Sequence, residues 1–399
     1  MTARTRSALL FFLAIVFVVL GTILVLYSGG ARFDLRTGKI VQTGGIYLKT
    51  EPEDVSIKID GKQVKNDSGF LQSGTFFSNL APGTYKALIE KEGYYSWQKE
   101  IRVASSSVAV FDGVILFPRE RQLAASPTDK FLSELQGKPI SRAELAELTF
   151  LFNQLKEGQL SLPGAVSIKK VLPYPYNNRK FVVMTDRALY TLDAEKRVLA
   201  QVAPRAGDFT FTGNELFWFD EKGLYSFNLI LRNQSQITLP PELKPSLFAK
   251  IELSSSAQAV AILKKDNEIV LFERPTNKVV GLGNSTLNFL FSPDDKKIAI
   301  SRPDGSLSVY GIKAGAQEEK YILENFTHSW AGVEGILWHE DNNYLFLEDK
   351  IGKLYFVEVS EDPPTNVVEI ASEVKNFTYN EDDHSLYWQD PRGIWQVKL

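Results

Sequence analysis

Three acidic pairs, Asp294-Asp295, Glu340-Asp341 and Asp382-Asp383, are the residues of this chain best suited by type to do chemistry. Side-by-side carboxylates can divide acid and base work between them or bind calcium. All three, however, occupy the tight turn between two apolar strands, where an acidic side chain bonds the turn backbone. A structural role in the turn is therefore expected. His328, His339 and His384 are the only histidines, far apart, and no two have the spacing of ligands on one helix or strand. Zinc needs three or four converging ligands, so no metal is expected. With no cysteine, thiol catalysis, thiolate metal sites and disulfides are impossible. There is no G-x-S-x-G elbow and no phosphate-cradling P-loop. The expectation is a protein with no catalytic residues and no cofactor.

Tryptophan offers a different chemistry, that of a stacking platform for a sugar or an anchor for a peptide. Trp218 and Trp388 hold equivalent strand positions, and Trp338 and Trp395 also lie in or beside apolar strands, which points to packing between sheets. Trp330, in the stretch Thr327 to Gly332 (THSWAG), is the exception, a loop aromatic with small neighbours. It is the expected ligand-recognition residue.

Such residues need a frame, and from Gly164 onward the frame repeats. Paired apolar strands start at Phe181 and Leu189, Leu216 and Leu224, Val260 and Ile269, Ile298 and Leu307, Leu345 and Leu354, and Leu386 and Ile394. The second strands step by 35 to 47 residues and by 41 on average, within the ~40–45 of a four-stranded propeller blade. Phe209–Phe211, Leu287–Phe291 and Gly335–Trp338 are expected as innermost strands and Val279–Leu282 as an outermost one. Six units predict six blades. The last unit has three strands before Leu399, so a segment between Val114 and Leu162 is expected to supply the fourth; an unpaired edge would otherwise be exposed. The unit Phe291–Ile300 (FSPDDKKIAI) resembles the repeats of TolB-type propellers, with Asp295 in place of the usual glycine. That resemblance implies a binding platform and carries no site residue across.

Ahead of the repeats, Arg32 to Pro118 shows strand alternation and tight turns with no helical period. Arg32–Leu35 and Ile40–Thr43 read as a hairpin, Asp60-Gly61 and Pro82-Gly83 as further turns, and Trp97–Val103 as a strand. The sum predicts a small β-sandwich. Pro52, Ile59–Gly61 (IDG), Leu80–Tyr85 (LAPGTY), Glu92–Tyr94 (EGY) and Trp97 resemble, in that order, a PEGA domain, although Pro52–Val55 (PEDV) departs from the naming tetrapeptide. The resemblance implies an extracytoplasmic accessory sandwich without catalytic residues. Between sandwich and repeats, Ser141–Glu144 has the form of a capping box, and Leu145, Leu148, Phe152 and Leu155 share a helical face. A shorter helix over 128–136 is expected before it.

Everything is tethered to Ala8–Leu26, nineteen residues without a charge. At ~1.5 Å per residue this covers most of a ~30 Å hydrocarbon core, and only a helix can satisfy a lone segment's backbone in lipid. Arg4 and Arg6 precede it while Arg32, Arg36 and Lys39 follow, so the positive-inside count is near a tie. The short tail is placed inside. Ser28 and Gly30 could serve a signal-peptide cleavage site, but such peptides have apolar cores of ~7–15 residues, shorter than this. The 399 residues carry 45 Lys plus Arg against 48 Asp plus Glu, with no basic run, which argues against nucleic acid as a partner.

The expected order is thus a cytoplasmic tail (1–7), a transmembrane helix (8–27), a PEGA-like β-sandwich (32–118), a helical connector (119–160) and a six-bladed β-propeller (161–399), mainly β throughout. The expected function is non-catalytic binding or scaffolding in the cell envelope, with the lipid bilayer held through Ala8–Leu26 and a protein or glycan as partner. A propeller glycan hydrolase or lyase is the rival; it would need central carboxylates from several blades. A transmembrane sensor is a third reading, weakened because Met1–Ser7 cannot hold a signalling domain.

Overall fold

A computed structural model describes residues 3–28, 30–34, 39–66, 74–123, 148–155, 167–174, 177–186, 188–312, 330, 332–360, 362–381 and 383–399. The protein is mainly β. The apolar N-terminal run forms helix α1 (Ala3–Ser28), 26 residues long. Its side chains are described over 10–25, and almost all of them are exposed and apolar. Among the described residues no helix is long and apolar enough to cross a membrane.

The chain divides into two compact units, one of Met1–Gln122, Phe356–Val368 and Gln396–Leu399, the other of Leu123–Tyr355 and Glu369–Trp395. In the first unit, β1 (Ala31–Asp34) and β2 (Lys39–Gln42) form the expected hairpin. Seven strands then make two sheets: β3 (Gly44–Glu51) lies between β6 (Thr75–Leu80) and β9 (Val108–Ile115), while β5 (Lys62–Val64), β4 (Ser56–Ile59), β7 (Gly83–Glu90) and β8 (Trp97–Val103) follow in that order. Their alternating apolar residues share one core, with Ile46 and Leu48 of β3 meeting Ile57, Ile89, Trp97 and Ile101. Asp60 and Gly61 both adopt positive φ, 48° and 75°, in the two-residue turn that joins β4 to β5. This is the mirror-type turn whose twist matches a hairpin and for which Asp-Gly is suited.

The first unit also holds Phe356–Val368, which no sequential reading of domains foresees. Lys99 of β8 donates to a Glu358 carboxylate oxygen at 2.7 Å, with side chains 0% and 7% exposed. Trp97 Nε1 donates to the other oxygen at 3.1 Å, and Lys99 also reaches the carbonyls of Asp362 and Pro364. The Asn366 amide pairs with both backbone groups of Gln98, and Glu100 N–H donates to Pro363 O. The free edge of β8 is thereby covered, as exposed strand edges require.

The other sheets are antiparallel meanders in chain order. The first has β11 (Ile168–Tyr174), β12 (Asn177–Thr185), β13 (Leu189–Asp193) and β14 (Val198–Ala203), and the second β15 (Asp208–Thr212), β16 (Glu215–Phe219), β17 (Leu224–Asn228) and β18 (Gln234–Ile237). The third has β19 (Phe248–Leu253), β20 (Ala259–Lys264), β21 (Ile269–Glu273) and β22 (Lys278–Gly283), and the fourth β23 (Asn288–Phe291), β24 (Lys297–Ser301) and β25 (Leu307–Gly311). The fifth has β26 (Val333–Trp338), β27 (Tyr344–Asp349), β28 (Leu354–Glu358) and β29 (Val367–Ala371). The sixth consists of β30 (Asn376–Asn380), β31 (Ser385–Asp390), β32 (Gly393–Lys398) and, beyond β32, the two-residue β10 (Gln122–Leu123). The fourth strand of the last sheet thus comes from inside the expected window. The segments expected as innermost and outermost do begin and end their sheets.

Of the connector, the described parts are 119–123, which hold β10, and helix α2 (148–155). Its stripe of Leu148 and Phe152 is buried against Val171, Val183, Tyr190 and Leu192 of the first meander, with Leu151 and Leu155 alongside. The expected shorter helix over 128–136 and the capping box at Ser141 lie outside the described residues.

Candidate functional site

The turns between the first and second strands of successive meanders are where the acidic pairs sit. One residue in each adopts a left-handed conformation: Gly213 (φ 53°), Ala257 (56°), Asp295 (60°), Asn342 (62°) and His384 (53°). Each turn also reaches the next. Thr212 Oγ1 donates to Ser255 O at 2.8 Å. Ser255 N–H, Ser255 Oγ and Ser256 N–H all donate to the Asp295 carboxylate, at 2.6, 2.7 and 2.7 Å. Asp294 N–H donates to Asn342 Oδ1 at 3.0 Å, and Lys297 Nζ to Asn342 O at 2.8 Å. His384 Nδ1 donates to Glu340 Oε1 at 2.6 Å.

Burial alone would raise the Asp294 and Asp295 carboxyls, but the donated hydrogen bonds outweigh it and hold both below the usual aspartate value. Asp383 accepts from Tyr387 OH at 2.5 Å; Asp382 lies outside the described residues. The acids therefore bond their own turns, as the sequence suggests, and also tie consecutive meanders together, which it does not.

The histidines do not converge. His339 is buried, its ring near Tyr344, Phe346 and Tyr379, and its Nδ1 accepts from Asp341 N–H at 3.1 Å. Loss of water lowers its pKa to about 4, with Glu340 pulling it up and His384 pushing it down. His328 lies outside the described residues, and among the described ones no cluster of three ligands could hold a metal.

Trp330 corrects an expectation. It does lie outside any strand, but it is only 6% exposed, its ring edge-on to Tyr355 at 6.4 Å. An indole so little exposed offers no open platform for a sugar. Trp218 and Trp388 are buried as expected, and Trp338 Nε1 donates to Leu290 O of the preceding meander at 3.1 Å.

What sequence reading passes over is a polar cluster on the first strands of three successive meanders. Lys170 of β11 donates to Asp208 Oδ1 of β15 at 2.8 Å and to Phe209 O at 2.6 Å. Ile251 N–H of β19 donates to Asp208 Oδ2 at 3.2 Å. Beside it, Glu252 is hydrogen-bonded to Thr210, and Lys250 Nζ lies 4.8 Å from the centroid of the Phe289 ring. Glu252 keeps some surface open, yet protein closely surrounds its carboxyl. Desolvation raises its pKa, Lys250 and Lys170 pull it back and Asp208 pushes it further up. The cluster therefore pairs a buried aspartate that bridges strands of two neighbouring meanders with a carboxyl biased toward keeping its proton. The sequence signal was present as charges interrupting apolar first strands, in Ile168-Lys169-Lys170 and Lys250-Ile251-Glu252.

No family model matches the chain, and no curated protein matches it. Among solved structures it is similar to the extracellular domain of a protein assigned as a hybrid two component system from B. thetaiotaomicron, at 10% identity and a TM-score of 0.40, covering 78% of this chain and 38% of that one. It is also similar to a protein assigned as a 6-phosphogluconolactonase from Bacteroides uniformis, at 13% identity and a TM-score of 0.37, covering 56% of this chain and 77% of that one. The chain thus spans little more than a third of the first of these.

Proposed function

We propose that this is a non-catalytic binding or scaffold protein of the cell envelope. The helix α1 anchors it through Ala8–Leu26, with residues 1–7 inside and the rest outside the membrane. The sandwich is a PEGA-type accessory, and the six meanders are blades of a propeller that presents a protein or glycan partner with polar groups from its first strands. The observation that carries the non-catalytic reading is the occupation of the available acids: the Asp295 carboxylate holds three donors and the Asp208 carboxylate two. A carboxylate fixed in this way has little freedom to exchange a proton with a substrate. Lys250 and Glu252 are the groups proposed to face a ligand, a cation and a carboxyl that suit the hydroxyls and carbonyls of a glycan.

The test is binding of the full chain in lipid nanodiscs to a panel of envelope glycans and cell-wall fragments. Retention of a glycan without cleavage, weakened at least about tenfold by Lys250→Ala or Glu252→Ala, is expected; about 1.4 kcal/mol corresponds to each factor of ten.

One observation favours the hydrolase or lyase reading as runner-up. Asp208 and Glu252 come from neighbouring meanders, and a raised carboxyl beside another acid is the pattern of an acid-base pair. Cleavage of any glycan in that panel, abolished by Glu252→Gln, would establish that reading in place of the first.

A further inference from the structure

The three-stranded sheet of the sandwich buries one face in the core and turns the other outward. On the outer face, register sets Phe76 of β6 beside Tyr47 of β3, Tyr47 beside Val110 of β9, and Gly45 beside Val108. Phe76 is 50% exposed, Val108 44% and Val110 58%. Gly45 adds no side chain, but the Phe76 ring lies over it, so close that a Cβ there would stand 2.7 Å from a ring carbon. The result is a continuous apolar row across three strands, where the solvent face of a two-layer sandwich is ordinarily polar.

The row ends at a particular place. Thr43 donates to Gly30 O through both N–H (2.9 Å) and Oγ1 (2.8 Å), and Gly30 stands two residues beyond the last residue of α1. Ser106 N–H donates to Thr43 O and Gly45 N–H to Ser107 O, while Arg32 Nη2 donates to Asn79 Oδ1 at 2.6 Å. The start of β3, the end of β6 and the start of β9 therefore meet where the helix ends. Polarity then changes with distance from that point. Ser78 and Val108 come first, Phe76, Tyr47 and Val110 next, and the charged Lys49, Glu51 and Asp112 follow on the same face. At ~3.3 Å per residue Gly45 lies about 7 Å, and Tyr47 about 13 Å, along the strand from Thr43. The headgroup layer of a bilayer is roughly 5–8 Å deep on each side of its core, so a row that extends about 13 Å stays within it only where the strands run along the membrane plane, and tyrosine is favoured there.

We propose that this face rests on the headgroup layer of the same membrane that α1 crosses, so that the sandwich lies against lipid instead of standing clear of it. The proposal rests on the anchor reading of α1 given above.

The chain has no cysteine, so single cysteines can carry a fluorophore without background. Full-length Val18→Cys, Val110→Cys and Lys62→Cys proteins are labelled and placed in nanodiscs of phosphatidylcholine and phosphatidylglycerol. The nanodiscs contain lipid spin-labelled either in the acyl chain or at the headgroup. The expected result is acyl-chain quenching at position 18 and headgroup quenching at position 110 at least about threefold stronger than at position 62, reduced about twofold when Phe76→Ser is added. Quenching at 18 with equal signals at 110 and 62 overturns the lipid face and leaves the anchor standing. No quenching at 18 overturns the anchor, and the lipid face with it. Self-quenching at 110 that rises with protein concentration in detergent, without a headgroup effect, overturns the proposal in favour of a second copy of the chain.

Discussion

His339 is the residue whose protonation the fold opposes most directly. Its folded pKa is about 4, below the ordinary histidine value of 6.5, so between those limits the unfolded chain binds a proton that the folded chain does not. Stability is then full above pH 6.5 and falls as pH drops toward 4, by up to about 3 kcal/mol. Urea unfolding at pH 7 and pH 4.5 should show this loss in the natural protein and a smaller one in His339→Phe. Glu252 works in the opposite sense: its raised pKa means that the folded chain holds a proton the unfolded chain releases, so its contribution is present below pH 4.5 and lost as pH rises. Glu252→Gln should therefore unfold at higher urea than the natural protein at pH 8, with the difference shrinking at pH 4.5. The turn role of the acidic pairs was legible because it depends on nearest neighbours in the chain. The Lys170–Asp208 pair was not, since its partners are 38 residues apart and a lone charge in an alternating strand looks the same as a solvent-facing one. Trp330 misled for a related reason: small neighbours in sequence say nothing of Tyr355, 25 residues on, whose ring meets the indole edge-on.

At the scale of elements, the recurring turn explains why the repeats were readable while their glycine signature was mostly missing. The backbone requires a left-handed residue at one position, and Gly213 supplies it in the second meander, but Ala257, Asp295, Asn342 and His384 fill it in those that follow. A side chain costs roughly 1–2 kcal/mol in that conformation unless it bonds locally. Asp295 and His384 repay that cost with bonds to neighbouring turns, whereas Ala257 has no polar side chain to do so. Ala257→Gly should thus raise stability by about 1 kcal/mol, and Asp295→Ala should lower it by about 1 kcal/mol by removing hydrogen bonds that water replaces at an exposed turn; thermal unfolding measures both. The β8 edge makes a stronger claim. Lys99→Met leaves Glu358 buried without its cation, a loss of about 3–5 kcal/mol. A double-mutant cycle with Glu358→Gln should give a coupling above about 1 kcal/mol; additive losses would show that the pair adds nothing beyond its separate packing.

At the scale of the whole molecule, the order of the paired strands was legible from the chain because each pair rests on local period and turn chemistry. The division into compact units was not, because Phe356–Val368 joins the first unit through Lys99, Trp97 and Gln98, more than 250 residues away. Length and polarity of α1, together with the absence of cysteine, organise the proposed function: a β-rich body held at a membrane and stabilised by burial instead of disulfides. The most direct test of that claim is sidedness. Lys222→Cys places a lone thiol in the exposed turn between β16 and β17, and a membrane-impermeant maleimide is applied to intact bacterial spheroplasts that express the full chain, followed by fractionation. The account predicts labelling before lysis on a protein that stays in the membrane pellet after a carbonate wash. Labelling only after lysis, or recovery of the full-length chain in the soluble fraction, would contradict it.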